Sequence, residues 1–100
     1  MRIKTHPGEI LREEFMQPWN ISANKLSGFL RVPLSRITEI VNEKRSVTAD
    51  TAIRLAKFFG TSPEFWLNLQ TQHDLSKAQA KHLAELNSIP SCESVGACQQ

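Results

Sequence analysis

The stretch VPLSRITEIVNEKR, from Val32 to Arg45, carries apolar residues at helical spacing on one side and short polar residues at the same spacing on the other. At about 100° per residue, Ile37, Ile40 and Val41 share one edge, which belongs in a core. On the opposite edge Ser35, Thr38, Glu39 and Asn42 recur at i, i+3, i+4 and i+7. A helix face that meets only water usually carries long, flexible Lys, Glu and Arg. Short side chains suit a helix whose backbone has to sit close to another surface. The major groove of duplex DNA is such a surface: it admits one helix and displays donors and acceptors on its base edges. Arg36 flanks the stripe, placed to reach a guanine or a phosphate.

Upstream, SANKLSGFL predicts a short helix capped by Ser22, with Leu26, Phe29 and Leu30 turned inward at i, i+3, i+4. Only Leu30 to Val32 separate it from the next helix, which is the connection of a helix-turn-helix spanning residues 22–42. Leu26, Leu30, Val32, Ile37 and Ile40 fall where that motif buries apolar side chains, and Ser27 is small where the helices cross. One position departs from the pattern. Arg31 stands in the turn where glycine is commonest, because the backbone there tends toward positive φ. The mismatch should cost about 1 kcal/mol, and the side chain could add a phosphate contact.

The remaining chain reads as helices too, since no segment alternates apolar and polar residues long enough for a strand. A first helix starts at Pro7, buries Leu11 and Phe15, and stops before Pro18. The third occupies Pro33 to Asn42, with proline in its first turn; the fourth runs from a cap at Thr48 to Phe59, before Gly60, with Ala52, Leu55, Ala56 and Phe59 inward. A long fifth helix opens at TSPEFW, where Ser62 and Thr61 both qualify as cap. It is apolar on two faces: Phe65, Trp66 and Leu69 for the core, and Leu67, Leu75 and Ala78 for a dimer or partner surface. The alternative cover for that second face is the chain's own tail. The expected organisation is one domain over residues 1–87 and a flexible tail, SIPSCESVGACQQ, over 88–100.

Charge supports a polyanionic partner. Residues 1–24 are neutral, residues 25–57 carry seven basic against three acidic side chains, hence +4, and the rest is −2. Lys44 and Arg45 follow the third helix directly and, with Ser22, Asn24 and Lys25 at the start of the second, are phosphate candidates; ordinary capping is the better reading for Asn24. No apolar run approaches the roughly 18 residues of a membrane span, and the start lacks an apolar signal core, so a cytoplasmic, nucleoid-associated protein with no membrane partner is expected. Cys92 and Cys98 read as two thiols on the tail, and His6, His73 and His82 lack ligand spacing, so no metal or cofactor is expected. No nucleophile is paired with a base, which argues against an enzyme. A helical adaptor that touches only protein is the competing class.

HPGEILREEF near the start, SRITEIVNEKRSVTADTAIRLAKFFGTSPEFWLNLQ in the middle and HDL after it resemble the HigA-type antitoxins. These are a VapI-like branch of the phage-repressor-like (XRE) helix-turn-helix family. The resemblance covers about residues 6–75, and GTSPEFWLNLQ distinguishes this branch from generic helix-turn-helix regulators. Arg31 departs from the family's usual LGVP turn. The resemblance implies an all-α, compact five-helix, lambda-repressor-like DNA-binding domain without catalytic activity. It implies a homodimer that binds a palindromic double-stranded operator, represses its own operon and neutralises a HigB/RelE-like, mRNA-cleaving toxin. A stand-alone repressor without a toxin is the alternative. Under this reading Ser35, Thr38, Glu39 and Asn42 read base edges, with Glu39 accepting from cytosine or orienting Arg36.

Overall fold

The computed structural model describes residues 3–96. Several helix ends have a local chemical cause, although Thr48, the expected cap of the fourth helix, makes no side-chain capping hydrogen bond. In α1 (Pro7–Ile10) the His6 ring caps the amino end, its Nδ1 accepting the Gly8 N–H at 2.8 Å, and Pro7 supplies the first helical dihedral. The helix continues as a π-helical stretch, Leu11–Met16, in which the Gln17 N–H reaches back five residues to the Arg12 carbonyl. Ser22 caps α2 (Ala23–Leu30) by accepting the Lys25 N–H at 3.1 Å.

After α2 come α3 (Leu34–Val41), α4 (Ala49–Phe59), α5 (Pro63–Lys81) and the short α6 (Leu83–Asn87). Pro33 is the residue before α3 rather than part of its first turn, and no side chain caps that helix. The open choice at α5 resolves with both hydroxyls used. Ser62 Oγ caps the helix by accepting the Phe65 N–H, while Thr61 Oγ1 accepts from the buried Trp66 indole at 2.8 Å.

Four segments stop in the same way, with one residue in the left-handed region: Asn20, Arg31, Glu43 and Gly60. At each stop the next residue's N–H donates back across the turn, as Val32 does to Ser27 O and Lys44 to Glu39 O. Only Gly60 adopts that conformation without a Cβ penalty. The expected strain at Arg31 is present, at φ 59°, and Glu43, at φ 62°, shares it at the end of α3.

The core is one cluster. Leu11, Leu26, Ile37, Ile40, Leu55 and Trp66 are fully buried, and Phe15, Val41, Phe59, Leu67 and Leu69 pack around them. Each full burial of such a side chain contributes about 1.5–3 kcal/mol. Two expectations about faces are corrected. Phe29 is exposed, its ring stacked on Phe58 of α4 at the surface while Leu26 and Leu30 are buried; Leu67 is half-buried against the core instead of standing on a free face.

α1 and α3 touch backbone to backbone. A Cβ on Gly8 would lie 1.8 Å from the Ile40 carbonyl oxygen, so only glycine permits this approach. One turn later Arg12 Nη1 donates to Val41 O at 2.6 Å, satisfying a carbonyl that the end of α3 leaves open. The loop after α3 is pinned to α5: Gln70 Oε1 accepts the Val47 N–H at 2.7 Å, and Gln70 Nε2 donates to Asp74.

The all-α expectation holds, with six helices among the described residues where five were expected. The 19-residue α5, about 28 Å long at about 1.5 Å per residue, carries α6 beyond the core. The extents are accordingly 56 × 28 × 21 Å. Ser88 to Gly96 are exposed and turn-like; within them Cys92 is disulfide-bonded, correcting the free thiol expected there, while Cys98 lies outside the described residues. Among the described residues no helix is long and apolar enough to cross a membrane.

Candidate nucleic-acid interface

α3 sits on the core by Ile37 and Ile40, both wholly buried, so its opposite edge is turned outward. Ser35 and Asn42 on that edge are exposed, and Thr38 and Glu39 are partly exposed, so the four-residue stripe survives folding as a continuous polar edge. Asn42 closes the helix, and Lys44, Arg45 and Ser46 continue the exposed path beyond it. Thr38 Oγ1 donates to its own helix, at the Leu34 and Ser35 carbonyls. It therefore offers outward its methyl group and lone pairs, which suits a thymine methyl or a base donor.

The charged residues of this face are paired differently from the expectation. Glu39 does not orient Arg36: its Oε1, shielded from solvent and without an aligned hydrogen bond, lies 2.8 Å from Arg45 Nε. The chain folds Arg45 back along α3 after the left-handed turn at Glu43, which brings the guanidinium to Glu39. Arg36 instead donates to Asp50 Oδ2 at 3.0 Å. Asp50, in the first turn of α4, also accepts from Arg54 Nε, and Arg54 Nη1 donates to the Leu30 carbonyl at 2.8 Å. One carboxylate thus ties the end of α2, the side of α3 and the start of α4 together.

Sequence reasoning missed Asp50 and Arg54 as site-building residues, although their i, i+4 spacing is a readable pair signal. It also missed the hydroxyls of Ser46, Thr48 and Thr51, which with Arg36 and Arg45 line a concavity of about 320 Å³ between α3 and α4. A run of hydroxyl residues just ahead of a helix start was the available signal.

At the other phosphate candidate, Ser22 and Lys25 are exposed at the amino end of α2, where the helix dipole favours an anion. Asn24 is exposed too, and its carbonyl accepts from Ser27 Oγ. Lys25, Arg31 and Lys44 make no ion pair among the described residues, so their charges are fully available.

Behind the end of α3, His6, Glu43, Lys44, Arg45, His73 and Asp74 border a polar recess. The His6 and His73 rings meet edge to face at 4.8 Å. Burial, reinforced by His73 and Lys77 against the opposing pull of Glu43 and Asp74, lowers the His6 pKa from 6.5. Among the described residues no group of His, Cys, Asp and Glu could hold a metal ion. On α5, Leu75 and Ala78 are exposed, so the expected second face is reduced to these two positions by the burial of Leu67.

This geometry, a short helix, a tight left-handed turn and a second helix seated outward on a helical core, is that of a helix-turn-helix protein. Residues 14–66 match the family model described as Helix-turn-helix, and the chain belongs to that family. Within it the chain is a member of the HigA-type, VapI-like branch, a class of DNA-binding antitoxins and not of enzymes. It is 54% identical over 74 residues to virulence-associated protein I of Dichelobacter nodosus, a match covering 74% of this chain and 68% of that one. A solved addiction-module antidote protein of the HigA family from Coxiella burnetii superposes with TM-score 0.84 at 49% identity, over 90% of this chain and 98% of that one. The Pseudomonas aeruginosa antitoxin HigA, solved with the higBA promoter, superposes with TM-score 0.83 at 41% identity, over 86% and 95%.

Proposed function

We propose that this chain is the antitoxin of a type II toxin-antitoxin module, binding a palindromic operator as a homodimer, repressing its own operon and neutralising a HigB/RelE-like toxin by binding it. The observation that carries the operator reading is the outward edge of α3. Ser35 and Asn42 are exposed, and Thr38 and Glu39 partly exposed, on the edge opposite the buried Ile37 and Ile40. Placed in a major groove, these four polar residues meet base edges, with Arg36 and Arg45 at the flanks and Ser22, Lys25 and Lys44 on phosphates. Two-fold symmetry then sets the two α3 helices about 34 Å apart, with the exposed Leu75 and Ala78 of α5 as the candidate dimer surface. The promoter-bound Pseudomonas aeruginosa relative supports the DNA half of this reading, and its antitoxin name supports the toxin half. The protein then works at the nucleoid, in the cytoplasm.

Co-purification tests the whole. The tagged protein is isolated from its host at high salt, which strips DNA-mediated passengers, and the remainder is weighed by mass and stoichiometry. A near-stoichiometric small protein that is harmful when expressed alone is the expected result. An isolated antitoxin with no partner overturns the toxin assignment and leaves the stand-alone repressor. For the operator half, Asn42→Ala should relax sequence preference by about 1–3 kcal/mol. Neutralising Lys44 and Arg45 should flatten the salt dependence by about 0.9 per lost contact.

A further inference from the structure

An exposed apolar surface lies off the reading edge of α3, across α2, α4 and the turn after the first helix. Trp19 is 72% exposed, Phe29 57%, Ile53 58% and Phe58 38%. These residues are contiguous. Phe29 stacks on Phe58 at 5.0 Å with the rings 18° from parallel, and Phe58 meets Phe59 edge to face at 4.9 Å. Phe58 is the ridge between two grooves of about 440 and 400 Å³. Phe29, Leu30, Ile53, Arg54 and Lys57 wall the first; Phe15, Trp19, Ile21 and Phe59 wall the second. A surface of this kind on a small domain marks an interaction site.

The charge around it selects the occupant. No Asp or Glu lines either groove, whereas Lys57 and Arg54, the latter already paired with Asp50, line the first. Lys25 stands one turn before Phe29 on the same face of α2, and neither Lys25 nor Lys57 makes an ion pair among the described residues. Duplex DNA would satisfy the cations but leave the aromatic walls against a polar, hydrated surface. Two copies paired face to face would satisfy the walls but bring their Lys25 and Lys57 rims together.

We propose that this face docks an acidic amphipathic helix of a partner protein, with two apolar side chains a turn apart seated on either side of Phe58 and flanking Asp or Glu meeting Lys25 and Lys57. Helix-in-groove recognition of this form takes its affinity from the apolar anchors and its selectivity from the rim. The proposal goes beyond the operator reading and does not depend on it.

Two synthetic helical peptides test it, sharing one Leu/Phe stripe but carrying Glu flanks in one and Lys flanks in the other. Trp66 is wholly buried, so a change in tryptophan emission reports on Trp19. The Glu peptide should shift the emission to the blue, bind at least tenfold more weakly to Phe29→Ser, and lose affinity as salt rises. The Lys peptide should not bind. Lys57→Glu, at an exposed position that does not endanger folding, should weaken the Glu peptide and admit the Lys peptide. Equal binding of both peptides, binding of neither, or indifference to Lys57→Glu overturns the proposal. So does a wild-type dimer in sedimentation that Phe29→Ser makes monomeric, since the face is then a self-interface. Duplex binding by each variant is measured alongside: unchanged sequence preference in Asn42→Ala with peptide binding intact counts against the operator reading alone.

Discussion

Replacing Gly8 by alanine adds one methyl group, and its position is known. The new Cβ would stand 1.8 Å from the Ile40 carbonyl oxygen, 2.8 Å from the Ile40 carbonyl carbon and 3.0 Å from His6 Nδ1. Two of the three are backbone atoms of α3, which no rotamer change can move. Relief requires α1 to lift from α3 by more than 1 Å, which opens the interface that Leu11 fills and stretches the Arg12 hydrogen bond to Val41 O. Overpacking of a close interface costs about 1–3 kcal/mol, against which the gain in helix propensity from Gly to Ala is about 0.5–1 kcal/mol. The net expectation is a loss of about 1–2 kcal/mol, or a melting temperature lower by about 4–8 °C per kcal/mol. Gly28 provides the internal control, since it is helical and has nothing within 4 Å of an added Cβ. Gly28→Ala should stabilise. Urea titrations of both variants read the effect as opposite shifts in midpoint at constant slope. A Gly8→Ala protein as stable as wild type would refute the claim that α1 seats α3 through this contact.

Three further outcomes follow from the same geometry. Arg31→Gly relieves the left-handed strain in the turn and should stabilise by about 1 kcal/mol; a urea midpoint that fails to rise shows the turn to be unstrained. His6 is held neutral, with its pKa lowered by burial and by His73, so the unfolded chain takes up a proton before the folded one does as pH falls through 6.5. Stability should therefore decline from about pH 6.5 down to the lowered folded value and level off below it. His6→Asn, which can still cap α1, should shrink that part of the pH dependence in thermal melts, and an undiminished slope assigns it elsewhere. Asp50→Asn removes a negative charge near the proposed DNA face but loosens the link from Arg36 and Arg54, so binding to random duplex should strengthen while discrimination for the preferred site falls. Equal gains on both duplexes, measured by salt-controlled titration, would mean that Asp50 acts through charge alone.

Helix limits were legible because their causes are local. Pro7, Ser22 and Gly60 each act within a turn of their own position, and the structure uses all three at helix ends. The outward stripe of α3 was legible for a related reason: a helix with Ile37 and Ile40 on one edge leaves little choice about the other. Phe29 and Leu67 were misplaced because a helix apolar on two edges does not say which one the rest of the fold will cover. That is decided by α4 against α2, and by the core against α5. Pairings between elements were likewise out of reach, since Arg36 with Asp50 and Gly8 with Ile40 join residues whose proximity arises only when the helices assemble.

The ion pairs on the α3 face bear on how that face would meet a polyanion. Arg36 and Arg45 are held by Asp50 and Glu39 at partly exposed positions, where such pairs contribute about 0–1 kcal/mol. That is too little to prevent a guanidinium from turning to a phosphate, and enough to keep two flexible side chains lying along α3 beforehand. The carboxylates do not cancel the approach field either, because the segment 25–57 remains at +4 with all of them counted. Lys25, Arg31 and Lys44, unpaired among the described residues, supply attraction without fixed geometry. The paired arginines supply geometry at little cost in attraction. Under the proposed operator reading, the unpaired lysines and Arg31 would add attraction alone, whereas Arg36, Arg45 and the carboxylates that hold them would add register on the duplex to the arginines' share of the salt dependence.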